Sequence, residues 1–249
     1  MKRKNKWLLH IGKISGIEIY VHWIFPVLIT WLIFYNINDG KNAGEIIYIF
    51  GFLFVVFICI LLHEAAHIFA ARKFHCTTTR IVLLPTGGVS NMEQKLERPG
   101  QEIIIAMAGI AANLLIAAAI YVAIYFGTGL PRFRELGMIT SQTFFLNLFI
   151  VNLLLVFFNL IPALPMDGGR ILLALLMIRH TKHKAVHLVT SIGNIIAIVL
   201  AVYGLLYSPL LLFAGLIIFI GSHLEEEDQL TAGPSVQQKS TLIYYKKSN

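Results

Sequence analysis

Long apolar runs separated by short polar breaks are the dominant pattern of this chain. Residues 21–37 contain no Asp, Glu, Lys or Arg, and residues 46–71 carry only His63, Glu64 and His67 among ionisable side chains. Residues 103–126 are uncharged. Residues 144–164 hold three asparagines and no charge, and residues 188–207 are again uncharged. A shorter run, 210–220, lies between Pro209 and Gly221. A helix that crosses a bilayer needs about 20 apolar residues. The pattern therefore predicts an all-α membrane protein with about six transmembrane helices. The first run is longer than the apolar core of a signal peptide and lacks a small-residue cleavage site, so it reads as a retained helix.

Composition strengthens this reading. Hydrophobic residues make up 57 % of the chain and charged residues 13 %, against roughly 45–50 % and about 25 % in ordinary globular domains. Two cysteines, Cys59 and Cys76, supply neither a disulfide framework nor a paired metal spacing. The net charge of +7 does not point to nucleic acid, because the basic residues are not gathered on one soluble domain. They follow the membrane instead. With six spans and the N-terminus in the cytoplasm, sixteen Lys and Arg fall on the inner side, while only Lys41, Arg132 and Arg134 fall outside. The positive-inside bias thus places both termini in the cytoplasm of a multi-pass cell-membrane protein.

Two domains of organisation follow. Residues 1–223 form the membrane domain, interrupted by a polar stretch at 73–101. Residues 224–249 form a short cytosolic tail, opened by Glu225, Glu226, Glu227 and Asp228, that is expected to be flexible.

The chemistry concentrates at two places. His63-Glu64-Ala65-Ala66-His67 has the H-E-x-x-H spacing. Residues four apart share one helix face, so both imidazoles can reach a single Zn²⁺ while Glu64 approaches the water beside it. Ionisable residues within a span each cost something like 2–3 kcal/mol to insert and need partners there. A polar helix–helix contact or a proton relay would also satisfy that need. The second place is Asn159-Leu160-Ile161-Pro162-Ala163-Leu164-Pro165-Met166-Asp167-Gly168-Gly169, where two prolines and two glycines must open the fourth span. Asp167 sits at that opening. His63 lies nine residues before Arg72 and Asp167 twelve before Arg179, so both lie on the order of 15 Å from the cytosolic boundary. His63, His67 and Asp167 with a water make a catalytic zinc set with one open position.

Taken together, H-E-x-x-H in one span and N-x-x-P-x-x-P-x-D-G in a later one resemble the site-2 protease family of intramembrane zinc metalloproteases. The likeness is nearest to the short prokaryotic, sporulation-type branch without a PDZ domain. It implies one zinc ion per chain held by His63, His67 and Asp167, Glu64 as catalytic base, and a transmembrane protein as substrate. Residues 81–89, an apolar run ending at Gly87-Gly88-Val89, look like the family's re-entrant β-hairpin, with an ordinary cytosolic hairpin as the alternative. Asn159 fits either a structural role in the break or donation to the oxyanion. Ala108-Gly109-Ile110-Ala111-Ala112-Asn113 is similar to the family's A-G-P-x-x-N segment, with Ile110 where proline is usual. The implied function is regulated intramembrane proteolysis, with the bilayer as a partner and no nucleic acid. The rival readings are a membrane zinc hydrolase of lipid amides and a catalytically inactive metal-binding transporter or scaffold.

Overall fold

A computed structural model describes residues 8–14, 17–76, 78–84, 87–92, 98–127, 140 and 143–231. Seven helices and one four-stranded sheet are found among them, in two compact units.

The first unit contains the sheet, α1 (Ile24–Asn38), most of α2 (Ala43–Arg72) and large parts of α3 (Pro99–Gly127) and α4 (Phe144–Leu160). Its strands β1 (Leu8–Ile14), β2 (Ile17–His22), β3 (Thr78–Leu84) and β4 (Gly87–Met92) lie in the order 1-2-3-4. β1·β2 and β3·β4 are antiparallel, whereas β2·β3 is parallel, with Glu18 opposite Arg80 and Val21 opposite Leu83. The helices of this unit are inside-out relative to those of a soluble protein. On α2, Phe52, Cys59, His63 and His67 are buried, while Ile47, Phe54, Ile58, Leu62 and Phe69 are exposed. An apolar outer stripe is what lipid solvates. Phe52, Cys59 and Leu148 form the core here, with Phe144 edge-on to Phe52 at 5.5 Å between ring centroids. Two amide donors on these helices are satisfied within their own turn: Asn152 Nδ2 donates to Leu148 O at 2.9 Å and Asn36 Nδ2 to Leu32 O at 2.8 Å. Such internal bonding is what a medium without water demands.

The second unit contains the break at 161–166, α5 (Asp167–Met177), α6 (Lys182–Tyr207) and α7 (Pro209–Thr231). Within the break the backbone closes its own turns, Ala163 N to Ile161 O at 2.8 Å and Met166 N to Ala163 O at 2.9 Å. α5 then starts against this turn with almost no clearance. A Cβ on Gly168 would collide with the carbonyls of Leu160 and Ile161, and one on Gly169 with the backbone of Ala163 and Leu164. Gly168 and Gly169 are therefore required by close approach. α6 and α7 pack through small residues: a Cβ on Gly215 would lie 2.7 Å from Ala197 O. Small faces let helix backbones approach in lipid, where no hydrophobic drive holds helices together. Leu164, Leu173, Ala185, Val186 and Val189 fill the core beneath the break.

Several expectations are corrected. The protein is not purely helical around a single hairpin, because β1 and β2 extend the hairpin to four strands. Val21 belongs to β2, so the first helix starts at Ile24 rather than at residue 21. The sequence Ile17-Glu18-Ile19-Tyr20-Val21-His22 alternates with period two, and strand pairing takes it before the helix begins. Gly87 and Gly88 lie within β4, opposite Leu84 and Leu83, and not in the turn. Residues 85 and 86, which connect the strands, lie outside the described residues. The fourth apolar run is helical only to Leu160, the end of α4, and α5 begins beyond the run at Asp167. α2, α3 and α6 are long and apolar enough to cross a membrane, and α4 is a shorter apolar helix of 17 residues. α7 continues to Thr231, and residues 232–249 of the expected tail lie outside the described residues.

Candidate metal centre

α2 carries the H-E-x-x-H segment in its C-terminal half, with no interruption of the helix. The four-residue spacing stacks His63 and His67 on the buried face, and their rings meet edge-on with centroids 4.6 Å apart. Their Nε2 atoms face each other at 3.0 Å. Two nitrogens each about 2.05 Å from a tetrahedral zinc ion would stand roughly 3.3 Å apart, so small ring rotations suffice. Glu64 is buried as well, at 8 % relative exposure.

Asp167 is the first residue of α5, preceded by an extended Met166. The adjacent amide N–H groups and the helix dipole favour its carboxylate. Arg170, one turn on, places Nη1 3.7 Å from Asp167 Oδ1. The same guanidinium is held by Glu102 of α3 through Nε at 2.8 Å and Nη2 at 2.7 Å. Neither Arg170 nor Glu102 was singled out by sequence reasoning, since they stand 68 residues apart.

His63, His67 and Asp167 each offer one ligand atom, and these three atoms lie within 4.8 Å of one another. All three residues are buried. Two neutral imidazole nitrogens and one carboxylate oxygen are the donor set that suits zinc with a position left open. The chain's residues therefore fit the metal. Asn159 is half-buried in the last turn of α4 and is not among the ligand atoms. Gly87 and Gly88 are not among the ligand residues either.

His63 has a further neighbour. Asn113 of α3, 1 % exposed, brings Nδ2 to 3.2 Å from His63 Nδ1.

Apolar membrane-length helices around a buried two-histidine, one-carboxylate centre define a metal-site membrane protein. The comparisons supply the family. The sequence profile of Peptidase family M50 matches residues 51–145 and 134–201, and the chain belongs to that family. A zinc metalloprotease of Methanocaldococcus jannaschii is 30 % identical over 218 residues, covering 87 % of this chain and 60 % of that protein. Stage IV sporulation protein FB of Bacillus subtilis is 28 % identical over 228 residues, 90 % of this chain and 68 % of that protein. Among solved structures, the site-2 protease from Methanocaldococcus jannaschii matches with a TM-score of 0.67 at 29 % identity. That match covers 88 % of this chain and 95 % of the other. The chain thus spans about three fifths of the length of the first of these relatives.

Proposed function

We propose that this chain is a zinc-dependent endopeptidase that cuts membrane-spanning protein substrates within the bilayer, near its cytosolic face. The observation that carries the proposal is the buried His63, His67 and Asp167 donor set with Glu64 beside it on α2. The relatives named as zinc metalloproteases and the family membership support it. His63, His67 and Asp167 would hold the ion, which would supply Lewis acidity toward the scissile carbonyl and lower the pKa of a water beside it from about 16 toward 7. Glu64 takes the proton of the attacking water and later delivers it to the leaving amine. Asn159, at the end of α4, is assigned a supporting role either at the oxyanion or in the break.

A spanning helix keeps its carbonyls in internal hydrogen bonds, so a substrate must unwind before it can be cut. Each polar group exposed by unwinding costs on the order of kilocalories. Pairing with a strand edge offsets that cost. β3 is flanked by β2 and β4, so among the described strands the edge beside Gly87 and Gly88 is that of β4. The substrate strand is therefore assigned to β4, not to the whole of residues 81–89. Cleavage of purified transmembrane peptides tests this. Substrates with Gly, Pro, Asn or Ser near the scissile bond are expected to be cut, and their Leu-substituted forms to bind similarly but react far more slowly. Gly87→Pro or Gly88→Pro is expected to lower turnover with zinc retained. Equal rates on a poly-Leu helix and a Gly-containing one would exclude strand addition.

Six crossings with both termini in the cytoplasm are part of the same proposal, supported by the distribution of basic residues. Single cysteines replacing Asn5 or Lys182 are expected to react with impermeant reagents only after the cytosol is opened. A cysteine replacing Arg132 is expected to react from outside. Labelling of positions 132 and 182 from one side would overturn the six-span arrangement.

A further inference from the structure

The buried side chain of Asn113 carries information about His63 that the ligand set alone lacks. Asn113 Nδ2 stands 3.2 Å from His63 Nδ1, while Asn113 Oδ1 is buried with no hydrogen-bond partner among the described residues. The nitrogen of His63 that faces His67 is Nε2. An imidazole binds a metal through a bare nitrogen, and the other ring nitrogen then carries the proton. With Nε2 of His63 as ligand, Nδ1 must be the N–H and, being buried, needs an acceptor.

The carboxamide offers that acceptor after a half-turn about its last torsion, which exchanges Oδ1 and Nδ2 at nearly unchanged shape. In that orientation His63 Nδ1–H donates to Asn113 Oδ1, and the buried orphan oxygen is satisfied. In the opposite orientation Asn113 donates to Nδ1, the ring proton moves to Nε2, and the lone pair that a metal needs is gone. One side chain thus distinguishes the binding tautomer from the non-binding one.

We propose that Asn113 is a positioning residue that fixes the Nδ1–H tautomer and ring plane of His63, presenting Nε2 to the metal. The inference rests on the reading of His63 as a zinc ligand. It gives the Ala108–Asn113 segment a chemical role that does not require the proline absent at Ile110. Asn113→Asp keeps an acceptor at the same place, replaces the donor by a second acceptor and adds a carboxylate charge. Asn113→Leu has similar volume and no acceptor.

The test uses the full-length protein in detergent, loaded with zinc or with cobalt(II), whose visible absorption reports ligand geometry. Asn113→Leu is expected to lower zinc affinity about 10–100-fold, the usual effect of losing an outer-shell partner, and to shift the cobalt bands. Asn113→Asp is expected to restore both. Independently of either variant, nitrogen-15 shifts of the His63 ring in the wild-type zinc protein should show a protonated Nδ1 and a metal-bound Nε2. Metal on Nδ1, or wild-type affinity and spectrum in Asn113→Leu, or equal losses in the Leu and Asp variants, would each overturn the proposal. Retention of zinc by His63→Ala would instead remove the ligand reading beneath it, so the two failures are separable.

Discussion

Glu64→Gln is expected to leave zinc bound and to reduce peptide cleavage by about 10²–10⁴-fold, the range lost when a positioned general base is removed. Gln matches Glu in size but cannot take a proton at neutral pH. Glu64 adjoins His63 on an unbroken helix, is buried and does not belong to the ligand set. The measurement is metal content and turnover on one preparation. Parallel loss of zinc and activity would make Glu64 a ligand. Full activity with zinc retained would exclude it as the base.

Removing a ligand is expected to act on the metal first. His63→Ala, His67→Ala and Asp167→Ala should each lower zinc affinity by more than the roughly 10–100-fold that outer-shell partners cost, with activity falling in step. Asp167→Ala is the most informative of the three. Its carboxylate also faces Arg170 at 3.7 Å, and Arg170 is held by Glu102. Loss of the carboxylate therefore leaves a partly buried guanidinium short of one counter-charge. Metal analysis after dialysis, alongside helical content by circular dichroism, separates lost zinc from lost structure. A variant at Asp167 with full zinc and full activity would end its assignment as third ligand.

Much of this was legible in the sequence because two local rules write it plainly. His63 and His67 are four apart in a run otherwise suited to lipid, so their shared helix face follows from spacing alone. Pro162, Pro165, Gly168 and Gly169 announce a break wherever they fall, and the break delivers Asp167 to a helix start. The clash that a Cβ would suffer at Gly168 and Gly169 shows the glycines acting by close packing, which composition alone could not distinguish from loosened backbone. What sequence hid depends on partners far along the chain. β2 pairs in parallel with β3 some sixty residues later, and Val21 continues so smoothly into the first apolar run that strand and helix merge. Asn113 meets His63 across fifty residues, and the likeness of Ala108–Asn113 to the family's A-G-P-x-x-N segment does not say which side chain it faces.

The parallel pairing of β2 with β3 also imposes a parity rule on the membrane path. Both strands lie side by side in one sheet, so any crossings of the bilayer made by the chain between them must be even in number. Only α1 and α2 lie between those strands. A crossing by α2, with its 30 residues, therefore obliges α1 to cross too. At 15 residues, α1 covers about 22 Å against a hydrocarbon core of about 30 Å. If α2 crosses, the odd crossing is forbidden by the sheet, not by length, and the shortfall at α1 is expected to be met by local thinning of the bilayer or by snorkelling of its flanking residues.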